Sequence, residues 1–197
     1  MHELRCKFGS RRNEGCRYLS LGVKQIGAYA FSGCQSLTTI SLPDSISELP
    51  HSVFDGCKSL RTISLPKNLS EIADGLFRFS GLNAIVLPAS ITKIGSYAFE
   101  GTNIRSVVIP ESVMMIGVRA FRDCKSLEEV SILGVPSMEM DEDLSLSLAF
   151  DGCDNIATFN APENLIIDNK DEHDALRKYF MDSFLMEKYA QNVEVQM

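Results

Sequence analysis

The chain has 197 residues, of which 45% are hydrophobic and 23% are charged, proportions typical of a globular protein with one or two domains. It has no apolar run near the roughly 18 residues of a transmembrane helix, and its first 30 residues lack the apolar segment of a secretory signal peptide. The formal net charge is −7. Because an acidic chain binds nucleic acid poorly, we expect no nucleic-acid partner.

Residues 1–15 do not follow the pattern of the chain after them, and they predict a degenerate N-terminal cap. The first regular unit begins at Cys16, where Tyr18 and Leu21 align with Thr39 and Leu42 of the next unit. Terminal units of a repeat protein are expected to be atypical because they cover an open end.

One unit recurs over residues 16–165. Its strand part reads Ile-Ser-Leu-Pro at 40–43 and 63–66, Ile-Val-Leu-Pro at 85–88 and Val-Ile-Pro at 108–110. The apolar residue that opens each copy recurs at spacings of 23, 22, 22, 23 and 29: Leu37, Leu60, Leu82, Ile104, Leu127 and Ile156. A phenylalanine precedes each of them: Phe31, Phe54, Phe77, Phe99, Phe121 and Phe150. This period and the L-x-x-I-x-L pattern predict a leucine-rich-repeat solenoid of about seven stacked units, here called rungs.

The alternation within one rung predicts which side chains lie inside. Ile40 and Leu42 point inward, their neighbours point outward, and Pro43 ends the ladder because it has no N–H. Ile46 and Leu49 face the core along another side of the coil. Phe31 fills the wide interior at the corner. A rung alone cannot bury its apolar face, so the rungs must stack.

The motif Ala30-Phe31-x-x-Cys34 before the strand and Pro43 after it resembles the BspA-like leucine-rich-repeat family. The resemblance implies a right-handed solenoid, α/β or mainly β, with short strands and an irregular or helical-turn convex side. It also implies a non-enzymatic interaction module, of the kind that acts as a cell-surface adhesin.

Three copies depart from the regular unit. The segments Phe77–Leu82 and Phe99–Ile104 are one residue shorter than the others and lack the usual cysteine, which predicts a tighter loop without the cysteine corner. The last copy carries an insertion at 134–147 that contains the acidic stretch Glu139–Asp143. Insertions in repeat proteins map to loops.

Residues 166–197 no longer follow the repeat, and they predict a helical C-terminal cap. Leu176, Tyr179, Phe180 and Phe184 have helical spacing and form one apolar stripe. A cap would cover the sheet edge and the apolar end of the last rung. The alternative is a helix that binds a partner or a second copy.

The six cysteines predict buried thiols more than disulfides. Four of them occupy one repeat position, where a free cysteine acts as a small buried apolar residue: Cys34, Cys57, Cys124 and Cys153. Neighbouring ladder positions seldom have disulfide geometry. Cys6 and Cys16 could still pair in the N-terminal cap.

No pattern in the sequence indicates catalysis, a cofactor or a metal. The three histidines His2, His51 and His173 lie far apart, and no Cys-x-x-Cys, phosphate-loop or Gly-x-Ser-x-Gly motif occurs. The stretch Glu139–Asp143 could gather calcium, but it lacks the central glycine of a calcium loop. A solvated loop is the simpler interpretation. We therefore predict no catalytic residue, no cofactor and no metal ligand.

The outward residues of the strands are the candidate partner-binding face, since stacked strands present an extended surface. They comprise Tyr18, Thr39, Ser41, Thr62, Ser64, Ala84, Val86, Arg105, Ser106, Val108, Glu129, Ser131, Thr158 and Asn160. Hydroxyl groups predominate toward both ends, and Ala84, Val86 and Val108 form an apolar centre. The plainer explanation is that Thr, Ser and Val favour strands. The functional hypothesis is a shallow face for a protein, with a glycan as a further possibility.

Three functions remain open at this stage. The family resemblance favours a monomeric surface module that binds a host-matrix or cell-surface protein. The reduced cysteines and the lack of a signal peptide favour an intracellular scaffold or a secreted effector. The third possibility is a structural, self-assembling solenoid.

Overall fold

The computed structural model describes residues 23–134, 136–138 and 146–162. Several predictions lie outside these residues: the N-terminal cap at 1–15, Tyr18 and its rung, the possible Cys6–Cys16 pair, Glu139–Asp143 and the helical cap at 166–197.

The described residues form a mainly β solenoid with very short strands. The strands are β1 (Thr39–Ser41), β2 (Thr62–Ser64), β3 (Glu71–Ile72), β4 (Lys93–Ile94), β5 (Ser106–Ile109), β6 (Met115–Ile116), β7 (Glu129–Ile132), β8 (Ser137–Met138) and β9 (Thr158–Asn160). One short 3-10 helix spans Leu146–Phe150. This part of the chain contains no α-helix, so the mainly β alternative is confirmed and the corners are irregular turns.

The strands lie on two sides of the coil, and all pairs are parallel. The Ile-x-Leu segments form the strand face, in two sheets ordered β1-β2 and β5-β7-β9. A second side is the sheet β3-β4-β6-β8, which brings Ile72, Ile94 and Ile116 into register. The last two belong to the recurring Ile-Gly pair, which is Ile-Ala at Ile72. Glu71 lies opposite Lys93 on its outer surface, a favourable cross-strand charge pair.

The core contains a continuous stack of phenylalanine rings. Neighbouring ring centroids from Phe31 to Phe150 are 5.0–5.6 Å apart, with interplanar angles of at most 20°. This spacing follows from the strand separation of about 4.8 Å and lies within the range of stacked aromatic pairs. Ile46 and Leu49 are also buried, so the predicted inward positions are confirmed.

The strand ladder is interrupted at one rung. Ala84, Ile85 and Val86 repeat the strand pattern but do not form a strand. At the start of this rung, the amide of Asn83 donates to the Arg61 carbonyl, and that of Asn103 donates to the Leu82 carbonyl. This rung is flanked on both sides by shortened corners, whereas each neighbouring rung has one corner of full length. The strand face is therefore divided into two sheets.

The shortened corners do not lose the position that cysteine occupies elsewhere. Ser80 and Thr102 lie three residues after their phenylalanines, as Cys57 and Cys124 do, and their amides donate to the Phe77 and Phe99 carbonyls. The missing residue falls between this position and the next rung. These corners lack the usual cysteine, as expected, and a hydroxyl residue occupies its position.

At three corners, the cysteine thiol links its rung to the rung before it. The Sγ atoms of Cys57, Cys124 and Cys153 donate to the carbonyls of Phe31, Phe99 and Phe121, at 2.9, 3.1 and 3.0 Å. All four cysteines of the column are buried thiols rather than disulfides, which confirms the prediction of reduced structural thiols. A hydrogen bond with Cys124 and burial both raise the pKa of the Cys153 thiol.

Replacing Phe99 by Ala should destabilise the protein strongly, because the ring is fully buried between Phe77 and Phe121. We expect a loss of about 3–5 kcal/mol in the free energy of unfolding, measured by urea denaturation. Phe79→Ala is the control, since that ring is 44% exposed. If Phe99→Ala loses no more free energy of unfolding than this control, the phenylalanine stack does not stabilise the fold.

The thiols of Cys57, Cys124 and Cys153 should resist alkylation in the native protein. Burial blocks access, and the raised pKa of Cys153 keeps its thiol protonated at about pH 8, where an exposed cysteine reacts. We expect iodoacetamide labelling, followed by peptide mass spectrometry, to be about a hundredfold slower than in urea. Equal native and unfolded rates would show that the corners open freely.

Candidate functional site: the strand face and its corner

The first part of the predicted face is a ladder of hydroxyl groups. Thr39 lies opposite Thr62 and Ser41 opposite Ser64, and all four residues are exposed. The Oγ1 atoms of Thr39 and Thr62 are 3.1 Å apart and share a hydrogen bond. The ladder presents small polar groups that can donate or accept hydrogen bonds.

The other end of the face is polar and carries a carboxylate. Glu129 lies between Ser106 and Thr158 in register, and Ser131 lies between Val108 and Asn160. The Nδ2 atom of Asn160 donates to the Ser131 Oγ at 3.4 Å. Parallel register therefore aligns the outward residues of neighbouring rungs within this sheet.

The centre of the face is apolar and accessible. Val86 is 85% exposed and Val108 is 54% exposed, while Ala84 and Arg105 are also exposed. Ile85 is only partly buried against the core, at the rung where the ladder is interrupted. The apolar patch thus lies on the interrupted rung and on β5, with Arg105 beside it, between the polar residues of β1-β2 and those of β7-β9.

Sequence reasoning missed a column of alternating charge at the corner. From Phe54 onward, the residue after the phenylalanine is Asp55, Arg78, Glu100, Arg122 and Asp151 in successive rungs. The Glu100 side chain is only 4% exposed. Its carboxylate forms ion pairs with Arg78 at 2.6 Å and with Arg122 at 3.5 Å. Arg122 also lies 3.5 Å from Asp151. Reading the sequence down this one repeat position would have revealed the alternation.

Aromatic rings accompany these arginines. The Arg78 Cζ lies 4.7 Å from the Phe79 ring centroid and 5.7 Å from that of Tyr97, within the range of cation–π contacts. Arg119 donates to the Tyr97 hydroxyl at 3.4 Å. Burial raises the pKa of Asp55, while Arg78 acts in the opposite direction. The column therefore orders the corner through mutual ion pairing.

No group of three or more metal-ligating side chains occurs among residues 23–134, 136–138 and 146–162. Over the same ranges, no helix has the length and apolar character needed to cross a bilayer.

The family model for the BspA type leucine-rich repeat region matches residues 17–130 in six copies. The chain belongs to this family. The predicted resemblance is therefore confirmed, and the phenylalanine stack and the thiol column describe how this BspA-type repeat packs. No curated protein matches the chain.

Solved structures of leucine-rich-repeat proteins share the fold. One from Bacteroides ovatus is 35% identical with a TM-score of 0.61, over 71% of this chain and 35% of the other. A leucine-rich cell surface protein from Faecalibacterium prausnitzii is 36% identical with a TM-score of 0.53, over 57% and 30%. The T. pallidum leucine-rich repeat protein is 34% identical with a TM-score of 0.61, over 74% and 69%. The chain spans about a third of the length of the first two.

Replacing Glu100 by Ala should destabilise the protein because it leaves Arg78 and Arg122 without their shared carboxylate. Since both arginines are partly exposed, we expect a loss of about 1–3 kcal/mol in the free energy of unfolding. Glu48→Ala is the control because Glu48 is exposed. Its free energy of unfolding should change by no more than about 0.5 kcal/mol. Equal effects in the two variants would show that the charge column contributes nothing to stability.

Proposed function

We propose that this BspA-type repeat is a non-enzymatic protein-binding module that engages its partner through the strand face, in the manner of a cell-surface adhesin. The observation that carries the proposal is the apolar centre of that face, with Val86 at 85% and Val108 at 54% exposure. Large apolar side chains held in solvent on a rigid framework are typical of interaction surfaces.

The surroundings of the patch support this assignment. The apolar centre is bordered by the hydroxyl ladder on one side and by Glu129, Ser131 and Asn160 on the other. An apolar core with a polar rim is the usual composition of a protein interface. Leucine-rich repeats are typical of binding scaffolds, so the proposal is compatible with the family.

The surface location rests on a related protein. The Faecalibacterium prausnitzii structure is that of a leucine rich cell surface protein, and it is 36% identical over 57% of this chain. We therefore infer that the partner is an extracellular protein, such as a host-matrix or cell-surface component.

The test is a double substitution, Val86→Lys with Val108→Lys, measured against a panel of purified extracellular-matrix proteins by biolayer interferometry. We expect saturable binding by the native protein and at least a tenfold loss in the variant, because charged side chains would have to be desolvated at the centre of the interface. The free energy of unfolding should stay within about 0.5 kcal/mol of the native value, since both side chains are exposed.

Met114→Lys is the matched control, because Met114 is 67% exposed and lies outside the strand face. It should bind as the native protein does. Binding that survives the double substitution would refute the strand-face site. Absence of binding to the whole panel would refute the adhesin assignment, and concentration-dependent self-association would favour a structural solenoid.

A further inference from the structure

The two shortened corners form a notch beside the phenylalanine stack. Its volume is about 580 Å³, and its lining includes Lys58, Phe79, Ser80, Gly81 and Asn103. It exists because two consecutive rungs each lack one residue at the same place, between the cysteine position and the following rung. None of the residues predicted for the strand face lines it.

Lys58 in this notch differs from its counterpart Lys125. Each lysine directly follows the column cysteine of its rung. The Lys125 Nζ donates to the Asp154 carboxylate of the next rung at 2.8 Å. At the position of Asp154, the rung after Lys58 has Gly81. Lys58 consequently has no ion pair within the described part of the chain.

Position 81 itself cannot carry that carboxylate. A Cβ atom on Gly81 would overlap the Arg61 Nη1 and the Lys58 carbonyl oxygen. The Arg61 guanidinium occupies this space, donating to the Lys58 and Gly81 carbonyls at 2.9 Å each. Lys58 is the one cation among the residues that line the notch, and no Asp or Glu is among them.

Phe79 provides an apolar wall at a position where the repeat otherwise favours glycine. Its counterparts include Gly33, Gly56, Gly101 and Gly152, all with positive φ, and Phe79 itself has φ 52°. A bulky residue in this region is strained, yet the ring is 44% exposed. Strained, exposed aromatic residues of this kind occur at binding sites.

A buried polar group lies in the same place. Ser80 is 2% exposed, and its Oγ has no hydrogen-bond partner among the described residues. Asn103, also on the lining, is exposed. The notch thus combines a cation, neutral hydrogen-bonding groups and an aromatic wall.

We propose that this notch binds an acidic side chain of a protein partner. Its carboxylate pairs with the Lys58 ammonium, in the relation that Asp154 has to Lys125, and its methylene groups pack on Phe79. A charge-assisted hydrogen bond of this type is stronger than a neutral one. The site is independent of the strand face, and its failure would leave the proposed function untouched.

The experiment uses the full chain and the blocked tripeptide acetyl-Gly-Glu-Gly-amide, followed by the amide chemical shifts of Gly81 and Gly101. We expect saturable shifts at millimolar peptide, and at least about a tenfold weaker affinity for the Gln peptide. The Lys58→Ala substitution should also lower the affinity for the Glu peptide about tenfold. Added salt should weaken binding because the pair is exposed.

Lys67→Ala is the matched control, an exposed lysine that is absent from the notch lining; it should bind as the native chain does. The proposal is overturned by absent shifts, by equal affinity for the Glu and Gln peptides, or by equal loss in Lys58→Ala and Lys67→Ala. Glucuronate serves as the competing probe. Tighter binding of glucuronate than of the Glu peptide would overturn the peptide assignment in favour of an acidic sugar.

Discussion

The stack of phenylalanine rings from Phe31 to Phe150 holds each rung of the solenoid on its neighbour. Every ring is buried, and consecutive centroids lie 5.0–5.6 Å apart. The strands themselves are only two to four residues long, so their backbone hydrogen bonds alone would define the register weakly. The large interior ring compensates, because it provides each rung with apolar area that only the adjacent rungs can cover.

The corners add specificity to this apolar packing. Buried thiols donate to the carbonyl of the phenylalanine in the preceding rung. The charged residues beside the stack alternate in sign from Asp55 to Asp151. Alternation matters because a shift of one rung would place like charges side by side, which is unfavourable. The thiol and charge columns therefore favour a single stacking order, while the phenylalanines supply most of the buried area.

A single irregularity changes the surface in two places. Shortening the corners at Phe77–Leu82 and Phe99–Ile104 interrupts the strand ladder at Ala84–Val86, where Val86 is left 85% exposed. The same shortening opens the notch around Lys58 and Phe79. At a corner of full length, the Lys125 ammonium pairs with Asp154 of the next rung. At the irregular rungs, Val86 and Lys58 are exposed.

The sequence by itself determined the repeat period, the inward positions, the mainly polar strand face and the buried thiols. These follow from local alternation and from residues that recur at one repeat position. Only the tertiary structure revealed the ion pairs of Glu100, the interrupted rung and a Lys58 ammonium without an ion pair among the described residues. Each depends on which residues of neighbouring rungs meet across the stack, some 22 residues apart in sequence. A corner that is one residue shorter changes which residues of neighbouring rungs meet, although the sequence pattern within each rung stays the same. These contacts are therefore visible only once the rungs are stacked.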